Sequence, residues 1–123
     1  MGSEEAALSQ QADCLFCKIV AGEVPSDKVL ETDDVLAFRD INPGAPTHVL
    51  VIPKRHVASV HELEHSDAEE VASLFDAIKQ VAEQEGVAHG YRVVTNVGAD
   101  AGQSVFHLHL HVLGGRPLSW PPG

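Results

Sequence analysis

The stretch Gln103-Ser104-Val105-Phe106-His107-Leu108-His109-Leu110-His111-Val112-Leu113 alternates histidine with apolar side chains. An alternation with a period of two is typical of a half-buried β-strand, because successive side chains point to opposite faces. The pattern predicts that the three histidines share one face and that the apolar residues share the other, namely Phe106, Leu108, Leu110 and Val112. Same-face neighbours on a strand are roughly 6.6 Å apart, so adjacent imidazoles can act on one phosphate-sized group.

A histidine row can also arise from packing, or from a metal-binding or purification tract. A tag would not be interleaved with leucine and valine, and packing alone does not produce three imidazoles on one face of a strand whose opposite face is apolar. A functional site is therefore the favoured interpretation.

The sequence His-Leu-His-Leu-His-Val-Leu, residues 107–113, resembles the His-x-His-x-His-x-x motif of the histidine triad (HIT) superfamily, in which x is apolar. The preceding Gly-Gln-Ser-Val and the following Gly114-Gly115-Arg116 and Trp120-Pro121-Pro122-Gly123 resemble its Hint branch, the histidine triad nucleotide-binding proteins. The resemblance runs from about Asp13 to Gly123. With the predicted elements, it implies an α+β fold with a five-stranded antiparallel sheet, one long and one short helix, and a homodimer.

Length and composition predict one domain, over residues 13–123, that includes a C-terminal tail at 114–123. Residues 1–12 are polar and acidic, and we expect them to be disordered. The formal net charge of −10 argues against binding to nucleic acid or to anionic membranes. The sequence has no apolar run of about 20 residues and no signal-peptide pattern, so we expect a soluble, cytoplasmic protein.

The remaining elements follow from turn residues and periodicity. A short helix is predicted at 13–21, with Asp13 as its N-cap, and a hairpin at 28–31 and 35–39. The nearly continuous apolar run at 47–53 predicts a central strand, and a further strand is predicted at 91–97. A capping box of Ser66 and Glu69 predicts a helix that runs to about Glu85. Its expected apolar stripe is Ala68, Val71, Ala72, Phe75, Ile78 and Ala82.

The resemblance also implies which residues contact a purine nucleoside monophosphate or phosphoramidate. Residues of the short helix line the base pocket, although the same apolar stripe is equally typical of packing. Asp40 holds the ribose hydroxyls, the alternative being that it only caps a turn, and Trp120 contacts the substrate across the dimer. The full expected set is Leu15, Phe16, Ile19, Phe38, Asp40, Ile41, Asn96, Gly102, Gln103, Ser104, Val105, His109, His111 and Trp120.

The histidine row has no cysteine or serine nucleophile pattern or carboxylate dyad beside it, which indicates that imidazole itself attacks phosphorus. The resemblance implies that His109 is the nucleophile and that His111 contacts phosphate. It places a fourth histidine, His48, beside the triad, the alternative being a buried histidine with a satisfied partner. His48 and His107 are expected to orient their neighbours. Ser104 is expected to donate to the leaving group or a phosphate oxygen, and Gln103 to help stabilise the developing charge.

The activity implied by the resemblance is that of a purine nucleoside phosphoramidase that needs no cofactor for catalysis. A non-catalytic nucleotide-binding or scaffold protein is the alternative of a different class. Dinucleoside polyphosphate hydrolases of the Fhit branch share the triad but not the C-terminal tail found here. Galactose-1-phosphate uridylyltransferases have proline where this chain has Leu108.

Cys14 and Cys17 form a Cys-x-x-Cys pair, which in an intracellular chain indicates metal or redox use before a structural disulfide. The resemblance implies a structural zinc site that His56 and His107 complete, as tetrahedral thiolate and imidazole ligation is typical of structural zinc. Two reduced thiols without metal are the alternative. A metal sensor would require all the histidines and both cysteines to converge on one open site.

Overall fold

The computed structural model describes residues 11–123, and its central element is an antiparallel sheet of five strands. The strands are β1 (Lys28–Glu31), β2 (Val35–Arg39), β3 (Thr47–Pro53), β4 (Tyr91–Val94) and β5 (Leu110–Gly114). Their order in the sheet is β1-β2-β3-β5-β4, so β3 is central as its apolar sequence predicts. The predicted fold class is confirmed. The predicted disorder of residues 1–12 falls mostly outside the described residues.

Each face of the sheet is covered by one helix. The long helix α2 (Ala68–Gln84) packs on the face that includes Val49, Val51 and Val112. The short helix α1 (Leu15–Val20) packs on the opposite face, against Phe38 and Leu50. The two layers follow from the alternation of side chains along β2 and β3, because both faces of these strands carry apolar residues.

The short helix begins one residue later than predicted. Its N-cap is Cys14 rather than Asp13, and the Cys14 Sγ accepts a hydrogen bond from the backbone N–H of Cys17 at 3.3 Å. Gly22, in the left-handed region at φ +79°, follows the helix. A six-residue helix is too short to be stable alone, so its position depends on what its side chains contact.

The prediction for the start and the buried face of α2 is wrong. A 3-10 turn at His65–Asp67 precedes the helix, and the Glu64 N–H donates to Asp67 Oδ2 at 2.9 Å. Ser66 therefore lies inside this turn and is not the N-cap of α2. The buried residues are Leu74, Ala77, Ile78, Val81 and Ala82. Only the last part of the predicted stripe is therefore retained, and Phe75 remains 51% exposed.

The strand predicted across the whole histidine stretch begins only at Leu110. Continuing the β3–β5 register would place Leu108 opposite Pro53, which has no N–H to offer. The Leu108 N–H instead donates to the carbonyl of Val57 at 2.6 Å. Phe106, predicted on the apolar face, is 53% exposed, whereas Leu108 is in the core as predicted.

Strand β4 ends at Val94 rather than at Val97. Beyond the end of β4, a side-chain hydrogen bond takes the place of the main-chain pairing with the histidine segment. The Thr95 hydroxyl donates to the carbonyl of His109 at 2.9 Å. The β3–β5 register pairs Leu50 with His111 and His48 with Leu113. His48 and His111 are therefore diagonal neighbours on the face that α1 covers.

Candidate functional site

A cavity of about 480 Å³ lies between α1 and the histidine segment. This volume falls within the roughly 300–1,000 Å³ that is usual for small-molecule sites. Many of the residues expected at a nucleotide line it: Leu15, Phe16, Ile19, Phe38, Asp40, Ile41, Ser104, Val105, His109 and His111. The cavity is large enough for one nucleoside monophosphate.

Aromatic rings form the inner wall of the cavity. The Phe16 ring contacts the Phe38 ring edge-on, with centroids 5.4 Å apart, and contacts the His109 imidazole in the same way at 5.1 Å. Both phenylalanines are almost fully buried. The wall therefore offers an apolar slot next to the histidines, which suits a planar base.

Several residues that line the cavity were not predicted from the sequence, namely Pro25, Ser26, Asp27, Arg39 and Leu50. Leu50 could have been found, because it is two residues after His48 on a strand and so shares its face. The loop residues at 25–27 carry no signal in the sequence, since a chain reversal rather than periodicity brings them to the cavity.

The nitrogen atoms of His109 are distinguished by a main-chain contact. His109 is buried, and its Nδ1 lies 2.7 Å from the carbonyl oxygen of His107. A carbonyl only accepts, so Nδ1 carries the proton and donates it. The remaining nitrogen, Nε2, then holds an unprotonated lone pair, which is the form in which imidazole is a nucleophile.

His48 and His111 form a second polar chain with a defined direction. The Gly44 N–H donates to His48 Nδ1 at 2.9 Å, so the proton of a neutral His48 is on Nε2. His48 Nε2 lies 2.9 Å from His111 Nδ1 and 3.4 Å from Asp40 Oδ2. His111 accepts at Nδ1 and keeps its own proton on Nε2.

Burial lowers the pKa of His111 to about 4, to which the neighbouring His109 and His48 contribute, while Asp40 opposes the shift. His111 is therefore neutral near pH 7. A neutral His111 suits the hydrogen bond from His48, because a protonated ring would present N–H to N–H.

Asp40 caps a turn and also lines the cavity. Its Oδ1 accepts from the Asn42 N–H at 2.8 Å, which caps the turn after β2, and its Oδ2 contacts His48. It also lines the cavity. A turn-capping role and a ligand-facing position are thus compatible in one carboxylate.

Gln103 is not available for the charge-stabilising role predicted for it. Its amide nitrogen donates to the carbonyls of Ala58 at 2.7 Å and Val105 at 3.1 Å, and its amide oxygen accepts from the Gly98 N–H at 2.9 Å. The side chain is buried with these groups satisfied, so it holds the loop that carries Ser104.

Three further predicted contacts, Asn96, Gly102 and Trp120, lie outside the cavity lining of the single chain. Gly102 is in the left-handed region at φ +95°, which favours glycine, and a Cβ there would lie 3.9 Å from Asn96 Nδ2. Trp120 is 80% exposed, next to Ser119, whose carbonyl accepts from Arg92 at 3.0 Å. Asn96 and Gly102 thus flank one loop beside the cavity, while Trp120 extends into solvent at the end of the tail.

Cys14, Cys17, His56 and His107 converge behind the cavity, with their ligand atoms all within 4.8 Å of one another. His107 Nδ1 lies 3.5 Å from each sulfur atom, and His56 Nδ1 lies 3.3 Å from the Cys17 Sγ. His107 Nε2 donates to the carbonyl of Pro53 at 2.8 Å, which leaves Nδ1 as the unprotonated nitrogen that faces the thiols.

These separations fit a tetrahedral ion. With Zn–S of about 2.3 Å and Zn–N of about 2.05 Å, tetrahedral sulfur and nitrogen ligands are roughly 3.5 Å apart. Burial raises the pKa of the Cys17 thiol to about 11 and lowers that of His107 to about 4. Without a metal, Cys17 is a neutral thiol and His107 a neutral imidazole, so a cation that binds both would release the Cys17 proton.

Comparison with known proteins identifies the family. The HIT domain model matches residues 21–118. The chain belongs to the HIT family. A HIT-like protein from Synechococcus elongatus is 49% identical over 111 residues, which cover 90% of this chain and 97% of that protein. A 14 kDa zinc-binding protein from Zea mays is 49% identical over 128 residues and the full length of both. The crystal structure of a HIT family hydrolase from Legionella pneumophila has a TM-score of 0.88 and 50% identity, covering 90% of this chain and all of that one.

None of the helices in residues 11–123 of this HIT chain is long and apolar enough to cross a membrane. The family assignment agrees with the resemblance found in the histidine segment.

Proposed function

We propose that this HIT protein is a hydrolase of the Hint type that cleaves the P–N bond of purine nucleoside 5′-monophosphoramidates through a nucleotidyl-His109 intermediate. One observation carries the proposal. The His109 Nδ1 proton is held by the His107 carbonyl at 2.7 Å, so an unprotonated Nε2 is presented in a cavity of nucleotide size. The similarity to a Legionella HIT family hydrolase supports a hydrolytic reaction.

In the first step, His109 Nε2 forms a bond to the α-phosphorus and the P–N bond breaks. The leaving nitrogen takes a proton from solvent, so the amine leaves uncharged while His109 carries the nucleotidyl group, and the neutral His111 donates its Nε2–H to a phosphate oxygen. In the second step, water attacks the phosphorus and returns a proton to solvent, the N–P bond to His109 breaks, and the nucleoside monophosphate is released.

Several residues of this chain have roles in that sequence. His48 donates to His111 Nδ1 at 2.9 Å and so keeps the proton of His111 on Nε2, where it can donate a hydrogen bond to a phosphate oxygen. Ser104 lines the cavity, and its hydroxyl is the proposed donor to a phosphate oxygen or to the leaving group. Asp40 is the acceptor for the ribose hydroxyls, since a carboxylate suits a vicinal diol.

We further propose that Cys14, Cys17, His56 and His107 hold a structural Zn²⁺. The ligand separations fit a tetrahedral ion, and the maize relative is named a zinc-binding protein. Bound there, the ion would supply structural cross-links among the four side chains and no chemistry at phosphorus. Metal analysis of protein purified without chelator should give about one zinc per chain, and a Cys17→Ser variant should lose it.

We propose a homodimer that pairs the open edge of β4. In the described chain β4 bonds only to β5, and Tyr91 on β4 is 36% exposed. An unprotected strand edge that carries an exposed aromatic side chain favours pairing with a second copy. Light scattering that gives a monomer mass at micromolar concentration would exclude this arrangement.

The test of the proposed activity is cleavage of adenosine 5′-phosphoramidate to AMP. We expect His109→Asn to lose turnover while it still binds AMP, and His89→Asn, an exposed histidine outside the site, to retain both. Absence of AMP from folded wild-type protein that nevertheless binds AMP would favour the non-catalytic nucleotide-binding alternative. Cleavage of diadenosine polyphosphates in preference to the phosphoramidate would favour the dinucleoside polyphosphate hydrolases.

A further inference from the structure

The short helix α1 belongs to both the cysteine–histidine cluster and the nucleotide cavity. Cys14 and Cys17 lie at its start and in its first turn and face His56 and His107. Leu15, Phe16 and Ile19, from the same six-residue helix, line the cavity. A helix this short cannot hold itself in place, so whatever fixes the cysteines also fixes one wall of the cavity.

His107 provides a second connection between the two sites. Its side chain faces both thiols, while its main-chain carbonyl accepts the Nδ1 proton of His109. Its ring is fully buried and is held from the other side by the carbonyl of Pro53. A shift of His107 therefore moves the acceptor that determines which nitrogen of His109 is unprotonated.

Phe16 is a third contact between the two sites. Its ring contacts the imidazoles of both His107, at 6.1 Å, and His109, at 5.1 Å. Displacing α1 would remove this packing from the nucleophile as well as from the base pocket. The cluster, the helix and the nucleophile thus form one contiguous set of contacts.

We propose that the cysteine–histidine cluster positions the nucleotide site, so that a divalent metal on Cys14, Cys17, His56 and His107 increases nucleotide affinity and fixes the tautomer of His109. This inference rests on the proposed zinc site and nucleotide site but not on turnover. His107 is here a positioning residue. When metal binds, Zn²⁺ replaces the two thiol protons, which pass to the buffer, and the weak S–H···N contacts become metal–ligand bonds.

Linkage gives the expected size of the effect. Coupling between two sites is typically about 5- to 150-fold and is reciprocal. We expect the Kd for AMP to be at least about fivefold lower with zinc than without it, and saturating AMP to raise the affinity for zinc by the same factor. A metal that only stabilises the whole fold would leave the Kd for AMP of the folded protein unchanged.

The experiment is calorimetric titration of AMP into zinc-loaded and chelator-treated protein, at a temperature where circular dichroism shows both to be folded. In parallel, a chromophoric chelator reports zinc affinity with and without AMP. His56→Asn removes a metal ligand that is not part of the cavity lining, so its AMP affinity should equal that of stripped protein and should not respond to zinc. His61→Asn, an exposed histidine nearby, should behave as wild type.

Cys14→Ser provides a second variant, because serine can still cap α1 while it loses the thiolate. ¹⁵N spectra of the histidine rings supply a readout besides affinity: removing zinc should broaden or average the two nitrogen signals of His109, while those of His111, held by His48, remain. An equal Kd for AMP with and without zinc, together with unchanged His109 signals, would overturn the inference even if phosphoramidate is cleaved. Zinc-dependent AMP binding without cleavage of the phosphoramidate would support the coupling between the two sites and refute the proposed activity.

Discussion

Lowering the pH should destabilise this protein through His111, and the size of the effect can be worked out from its surroundings. Burial, with His109 and His48 nearby, lowers the pKa of His111 to about 4, although Asp40 opposes the shift. The unfolded chain binds that proton with the ordinary histidine pKa of about 6.5. The contribution of neutral His111 to the free energy of unfolding is therefore fully present above about pH 6.5. It is lost as the pH falls from there towards 4. Between pH 7 and pH 5 the loss from this one group is about 2 kcal/mol.

The assay is urea unfolding of wild-type protein and of His111→Asn at pH 7 and pH 5. Asparagine cannot titrate there, and its amide oxygen can still accept from His48. The free energy of unfolding of wild-type protein should fall by about 2 kcal/mol more than that of the variant. A direct check is the ¹⁵N titration of His111, with its midpoint near pH 4. Equal pH sensitivity of the two proteins, or a midpoint near 6.5, would show that burial does not keep His111 neutral.

Three further changes test single contacts. Thr95→Val removes the hydroxyl that donates to the His109 carbonyl and should cost about 1 kcal/mol in urea unfolding, whereas Thr95→Ser should not. Gly102→Ala places a Cβ at φ +95° and should lower the free energy of unfolding by about 1 kcal/mol. The turnover rate should also fall, because the loop that carries Ser104 shifts. Unchanged stability would argue against the left-handed conformation of residue 102. Asp40→Asn keeps an oxygen for the Asn42 turn but should weaken AMP binding roughly tenfold, with little added loss for 2′,3′-dideoxy-AMP.

The first three strands could be predicted from the sequence with their observed bounds. The apolar run at 35–38, the nearly continuous apolar run at 47–53 and the turn residues between them are local signals. The two-sided burial of β3 follows from its composition alone. The prediction that His109 and His111 share a face needs only the alternation of side chains, whereas the position of His48 beside them was implied by the family resemblance.

What the sequence could not supply are contacts between distant segments. The late start of β5 depends on the Val57 carbonyl and on the missing N–H of Pro53. The use of Gln103 as a loop clamp depends on Ala58, 45 residues away. The tautomers of His109 and His48 are determined by main-chain groups that no motif specifies. The buried face of α2 was misplaced because Phe75, the largest apolar residue in its sequence, is on the outside.

The most direct test of nucleophilic catalysis by His109 is to trap the covalent intermediate. Zinc-loaded protein is mixed with adenosine 5′-phosphoramidate, quenched in alkali within milliseconds and digested with trypsin, and the peptide that follows Arg92 is analysed by mass spectrometry. We expect an added adenylyl mass that fragmentation places on His109 and that is absent from His109→Asn. An adenylyl group on His111 or Ser104 instead, with His109 unmodified, would contradict the assignment of the nucleophile.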